Sequence, residues 1–347
     1  MGKKKKKKQP ASLARRIARW AAAAIVASQL VLAGCGDWFV HHPREWIADR
    51  CESLPRFVTA PLLAYGDRTG DFTDAIGFTG SDAVYEFDED APNGSVFFAG
   101  EPKRVAGPAP DDIQVLQRGD FAVGWSPSLR HPVWVAYHVP PQGDSTTTAP
   151  ADPSKRPSFQ KDRSVEGSPA ADAYKGSGYD RGHLAPNYAI ATRFGEAAQK
   201  RTFLMTNIAP QTPSLNQGVW RDVEHRIADL WSGRYGEVWV IAGALPGGER
   251  LESGVEIPSA YYQVVVAQTE EGVRALALVF PQGISQSAYP TRYIVSIAEL
   301  ESLAGIDFLP ELESFLAKPL KAHVPTRLWP VGIGGAFRLI AARFRSS

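Results

Sequence analysis

The 347-residue chain has only two cysteines, Cys35 and Cys51, so no disulfide framework can shape it. The polar stretch between residues 179 and 225 contains no cysteine, and His183 has no second histidine at ligand spacing. That combination disfavours zinc, whose sites usually draw on thiolates or several imidazoles. No internal repeat is present, which excludes solenoids and propellers. Long hydrophobic runs are also missing. The largely apolar run from Trp20 to Leu32 covers 13 residues, short for a membrane span and suited to the core of a secretion signal. Acidic residues are absent from the first 34 positions, which carry nine basic ones (Lys3 to Lys8, Arg15, Arg16 and Arg19). Without that segment, the 38 basic residues fall to 29 against 37 acidic, a net charge of −8. Such a chain is not a basic nucleic-acid binder overall. Any positive potential it uses must be local.

The hydrophobic content is 44%, with 9 tryptophans, enough to bury a substantial core. The basic segment and apolar run end in Leu32-Ala33-Gly34-Cys35, which reads as a bacterial lipobox. Residues 1–34 are then a lipoprotein signal peptide, and the product is tethered to a membrane through a lipidated Cys35. Its place would be the bacterial cell envelope, facing the periplasm or the outside. An uncleaved anchor, or cleavage without lipid, is the alternative, and Cys35 could then bridge to Cys51. Six consecutive lysines would favour anionic lipid. Residues 35–110 form an extension of no assignable role. Within it, Ser81 to Phe98 reads as strand, turn, strand around Pro92-Asn93-Gly94. Pro108-Ala109-Pro110 marks a boundary, and the main domain is expected over 111–330. A basic tail over 331–347 completes the chain, as a docked or frayed terminal helix or a membrane contact.

Three segments alternate in the manner of strands, at Val238 to Ile241, Tyr262 to Ala267 and Arg274 to Phe280. Val219, Val223, Ile227 and Leu230 recur at helical spacing and predict a buried stripe. Asn216 would open that helix, as an N-cap or as a ligand. Glu224 lies eight residues on, about 12 Å along an ideal helix, so one ion cannot easily bind both directly. An imidazole, several amides and an arginine without a thiolate suit a hard metal ion and a general base acting on a phosphodiester. Imidazole titrates near neutrality and can take a proton from water. A lone His183, Asn216 or Glu224 could equally be structural.

The motif Tyr179-Asp180-Arg181-Gly182-His183, followed by Thr206-Asn207-Ile208-Ala209-Pro210-Gln211 and Leu215-Asn216-Gln217, resembles the DNA/RNA non-specific endonucleases. These are a branch of the ββα-metal, or His-Me finger, nucleases that includes endonuclease G. Leu116 to Val123 with Pro132 to Tyr137 resembles the family's opening strands, and Ile257 to Tyr262 and Leu303 to Phe308 its closing segments. The likeness spans about residues 112–330. It implies an α+β fold with a central, mainly antiparallel sheet flanked by helices and a ββα-metal finger. The implied activity is hydrolysis of DNA and RNA. His183 would be the general base, and Asn216 would hold a Mg²⁺-type ion, with Mn²⁺ or Ca²⁺ as alternatives. Glu224 would orient metal-bound water, and Asn207 would organise the site. Arg156 would contact phosphate, and Arg181 would either contact phosphate or pair with an acid to support the loop. Two rival readings stay open: a membrane-tethered DNA-binding or uptake lipoprotein without catalysis, and a phosphodiesterase for small molecules. Oligomeric state and any inhibitor protein are invisible at this level.

The lipobox gives a direct expectation. Metabolic labelling with a fatty acid should mark the wild type and leave Cys35→Ser unlabelled. Equal labelling of both, or of neither, would remove the assignment.

Overall fold

The computed structural model describes residues 95–143, 149–270, 272–286 and 288–331. The signal segment, Cys35, Cys51 and the basic tail from 332 lie outside the described residues. In chain order the elements are β1 (Lys103–Arg104), β2 (Gln114–Gln117), β3 (Phe121–Ser126), β4 (His131–Val139), β5 (Asp180–His183), α1 (Asn187–Thr202), β6 (Ile208–Gln211), the helical stretch α2 (residues 213–235), β7 (Val238–Leu245), β8 (Glu249–Arg250), β9 (Glu256–Ile257), β10 (Ala260–Thr269), β11 (Gly272–Pro281), β12 (Ile294–Val295), α3 (Ile297–Ala304), β13 (Ile306–Asp307) and α4 (Ser314–Ala322).

Seven strands form one sheet in the order β12-β11-β10-β7-β4-β3-β2, and every neighbouring pair is antiparallel. The fold is therefore α+β around an antiparallel sheet, as expected. Every residue of β3, β4 and β7 is buried, so both faces of the sheet are covered. Strand periodicity sorts the side chains between those faces. Trp134, Ala136, Tyr262, Val264 and Val266 join Leu300, Phe308, Leu316 and Leu320 in one core, under α3 and α4. Val135, Tyr137, Tyr261 and Val265 alternate with them and point to the opposite face, where the sequence motifs assemble.

The compact unit begins before residue 111. Val96, Phe98 and Ala109 belong to the main core, and β1 pairs with β13. The segment from 95 to 110, assigned from sequence to the extension, is thus structurally part of the domain, because its apolar side chains have nowhere else to be buried. Ser95 to Phe98 forms bends, not the second strand expected there. The first strand of that reading lies outside the described residues.

Gly243 shows how tightly the sheet is assembled. It faces Tyr262 across the β7–β10 ladder, and the tyrosine lies over it to donate to the Val133 carbonyl at 3.1 Å. A Cβ at 243 would sit 2.2 Å from the Tyr262 ring and 2.4 Å from that carbonyl oxygen. Overpacking of this kind costs about 1–3 kcal/mol, and each kcal/mol shifts the melting temperature by about 2–4 °C at this size. Gly243→Ala should therefore melt several degrees lower by circular dichroism. An unchanged transition would show that the Tyr262 ring can move without loss.

Candidate active site

The site is built on a ribbon and a helix. β5 and β6 pair antiparallel, with Asp180 opposite Gln211 and His183 opposite Ile208. The chain between them makes α1, and α2 begins two residues after β6. An isolated two-stranded ribbon is marginal in water, and here the larger sheet holds it. The Tyr261 hydroxyl donates to the Pro210 carbonyl at 2.6 Å, and the Gln282 amide donates to the same oxygen at 2.7 Å. A Cβ at Gly182 would lie 2.1 Å from Gln211 Oε1, so a larger residue there requires that side chain to shift.

His183 ends β5 with 8% of its surface exposed. Its ring packs against two phenyl rings, Phe159 at 5.3 Å and Phe203 at 4.8 Å between centroids, and the two phenyls meet each other at 5.1 Å. Arg181 covers the outer side of Phe159 at 4.2 Å, and Arg156 lies over Phe203 at 5.5 Å. The three rings form a triangular cluster, with one guanidinium against each phenyl. Burial, and then the charges of Arg156 and Arg181, push the His183 pKa down to about 3. The ring is therefore neutral across the physiological range. Its Nε2 is buried without a hydrogen-bond partner among the described residues, so one nitrogen is left to meet something the protein does not supply.

Asn207, expected to organise the site, is buried. Its Oδ1 accepts from Ala185 N at 2.8 Å, and its Nδ2 donates to the carbonyls of Ala185 and Thr202 at 3.0 and 2.9 Å. The side chain clamps the turn that follows His183, and both of its N–H donors are used. Arg181 is exposed, donates to the Ala171 carbonyl at 3.0 Å and packs on Phe159. Arg156 is exposed, and its charge reaches both His183 and Glu224.

Asn216 does not open the helix. Thr212 precedes the first turn, Pro213–Leu215, and Asn216 lies within the stretch, its backbone N–H donating to Thr212 O at 2.9 Å. The stretch is also irregular. Asn216–Trp220 and Arg226–Trp231 are π-helical, and Gly218 departs from helical angles, where Gln286 leaves no room for a Cβ. The ideal 12 Å rise from Asn216 to Glu224 therefore does not carry over, although π-turns of this sort often mark functional sites. The stripe of Val219, Val223, Ile227 and Leu230 is buried as expected.

The carboxylate of Asp180 accepts from Asn216 Nδ2 at 2.9 Å and from Gln217 Nε2 at 2.8 Å. That contact turns the amide oxygen of Asn216 away from Asp180, as the atom available to a hard cation. Glu224 lies in a drier setting. Burial raises its pKa to about 8, with the indole of Trp220 and the charges of Arg156 and Arg221 acting in the opposite sense. The indole N–H faces the carboxylate without reaching hydrogen-bond geometry to any described residue. Glu224 in turn helps to hold the Tyr137 phenol un-ionised. Among the described residues, no three His, Cys, Asp or Glu side chains cluster as a metal cage. An ion here would rest on few protein ligands and several waters, the habit of Mg²⁺.

The sequence reading passed over Asp180, Gln217, Phe159 and Phe203. Asp180 sits inside the motif, but its role shows only through partners 36 and 37 residues later. The two phenylalanines carry no signal that separates them from ordinary core residues.

A two-stranded ribbon and a helical stretch held against an antiparallel sheet carry these side chains, and the chain is similar throughout this region to hydrolases of the nuclease class. The chain belongs to the DNA/RNA non-specific endonuclease family, which matches residues 101–315. It is 29% identical over 229 residues to a nuclease of Nostoc sp., covering 61% of this chain and 79% of that protein. It is 31% identical over 214 residues to the human mitochondrial nuclease EXOG, covering 56% of each, so it spans little over half of that relative. Human mitochondrial endonuclease G is 28% identical over 223 residues, 58% of this chain and 72% of that protein. Among solved structures, EndoG in an EndoG/EndoGI complex shares the fold, with a TM-score of 0.52 and 24% identity over 59% of this chain and 89% of that one.

The Glu224 environment sets a pH dependence. Between the usual 4.5 and about 8, the folded protein holds a proton that the unfolded chain has lost. Stability contributed by the neutral form is therefore lost as pH rises through that window. In metal-free protein, Glu224→Gln should melt higher than wild type near pH 8, by about 2–4 °C for each kcal/mol relieved, and no higher near pH 4.5. A lower melting point at pH 8 would show that Arg156 and Arg221 already stabilise the carboxylate.

Proposed function

We propose that the protein is a metal-dependent endonuclease that hydrolyses phosphodiester bonds of DNA and RNA with little sequence preference, anchored in a bacterial cell envelope through Cys35. The observation that carries the catalytic part is the neutral, buried His183 with an unpartnered Nε2. This nitrogen accepts a proton from water as the water attacks phosphorus. An imidazole held near pKa 3 is a weak base. A substrate phosphate beside it offsets the charges of Arg156 and Arg181 and raises its basicity as the substrate binds. Phe159 and Phe203 fix the ring and exclude competing solvent.

The donor set fits a hard divalent ion. The amide oxygen of Asn216 would hold Mg²⁺, with Mn²⁺ or Ca²⁺ as alternatives, and Glu224 would hold water in its shell. When bound, the ion supplies Lewis-acid stabilisation of the charge on the phosphoryl group and the leaving oxygen. Asp180 orients Asn216 for that task, a second layer of support whose loss typically costs about 10–100-fold in metal affinity. Arg156, exposed beside both His183 and Glu224, binds a phosphate oxygen. With net charge −8 outside the signal segment, these few cations and the ion carry the attraction for a polyanion. That arrangement favours turnover over tight storage of nucleic acid, and so favours an enzyme over an uptake protein.

Plasmid nicking with and without Mg²⁺ tests the reading. His183→Ala should lose about 10²–10⁴-fold in rate with unchanged circular dichroism. Asn216→Ala should stay impaired at any practical Mg²⁺ concentration, whereas Glu224→Ala should recover with raised Mg²⁺. Rescue of Asn216→Ala alone would place the ion on Glu224. An active His183→Ala would remove the base assignment.

A further inference from the structure

A cavity of about 390 Å³ opens beside Glu224, in the lower part of the size range of small-molecule sites. Pro186, Ala189 and the ring of Tyr188 form its apolar wall, and Arg221 and His225 stand at its rim. Tyr188 begins α1, two residues after Pro186 and five after His183, so the same loop places both the imidazole and this ring. The tyrosine is unusual in being both exposed and fixed. It keeps 38% of its surface open to solvent, yet its hydroxyl donates to Asp229 Oδ1 at 2.8 Å. Asp229 also holds His225, at 3.2 Å. An exposed aromatic plane held in one orientation contributes little to a core and much to a surface that must be met by another flat group.

We propose that this cavity is a nucleobase subsite, in which the Tyr188 ring stacks on the base of a nucleotide adjoining the scissile phosphate while Arg221 faces its backbone. The inference rests on the endonuclease reading of the neighbouring site. Charge complementarity selects the occupant. Arg221 is exposed at the rim, and Arg156, whose charge reaches Glu224 from elsewhere, lines a second cavity together with Lys155 and Lys200. Two arginines whose charges reach Glu224, with a stacking plane on an apolar wall, match a single strand of nucleic acid. Every base has a π-face, so stacking binds a strand without reading its sequence. The base must leave its own stack to enter, so single strands and nicked or locally melted duplex bind better than intact duplex.

The test uses a short thymidine oligonucleotide carrying 2-aminopurine, titrated with full-length protein in chelator so that nothing is cut. The wild type and Tyr188→Phe should quench the fluorescence. Tyr188→Ala should bind about fivefold more weakly or worse, the lower bound for the loss of one base–aromatic stack, and should lose the quench. Equal quenching by wild type and Tyr188→Ala would overturn the subsite. So would a Tyr188→Phe variant as impaired as Tyr188→Ala, because the hydroxyl anchor and not the ring would then matter. Plasmid nicking by the wild type in Mg²⁺, run alongside, separates the two ideas. Quenching that depends on Tyr188 without nicking keeps the subsite and removes the endonuclease; nicking without such quenching does the reverse.

Discussion

A four-residue strand pair cannot hold a catalytic group in place unaided, and the architecture follows from how this chain solves that problem. Pro210 lacks an N–H and breaks its own share of the ribbon ladder, but its carbonyl takes hydrogen bonds from Tyr261 and Gln282. The Tyr174 hydroxyl adds a third tie, to Ile208 O at 3.3 Å. Those donors come from β10 inside the sheet, from the residue after β11 and from the loop before the ribbon. The seven-stranded sheet is in effect the support that gives β5 and β6 the rigidity of a core element. His183 inherits that rigidity because it ends one strand of the pair.

Dryness is the second constraint. His183 is buried and Glu224 half-buried, and desolvation moves their proton affinities toward one another's usual range, His183 down to about 3 and Glu224 up to about 8. Each is thereby neutral in the metal-free protein near neutrality, which limits the cost of burying two ionisable groups in one place. The arginines flanking the phenyl rings lower the basicity of the imidazole further, a penalty that a neighbouring anion would offset.

The helical stretch after the ribbon shows why position along a sequence is a poor ruler. Asn216 opens the first π-turn and donates to Asp180. Glu224, past both Gly218 and the first π-turn, faces Trp220, Tyr137 and Arg156. The inner stripe of Val219, Val223, Ile227 and Leu230 survives this distortion, since burial requires only that these residues face the sheet. The polar residues do not share that tolerance, and their environments are set residue by residue.

The sequence by itself determined the α+β class, the family and the identity of the chemical groups, because strand alternation, the helical stripe and the motif around His183 are local patterns that burial and chemistry impose directly. It left Asn207 between a turn residue and a site residue, and it read Arg181 as a partner of phosphate or acid. Tertiary structure supplies their contacts. Asn207 binds the backbone on either side of it, and Arg181 donates to Ala171 and packs on the Phe159 ring. The structure alone also brought Phe159, Phe203 and Asp180 to the site and drew residues 95–110 into the core. Those contacts join segments 20 to 200 residues apart, and contacts of that kind leave no period or composition for a single sequence to display.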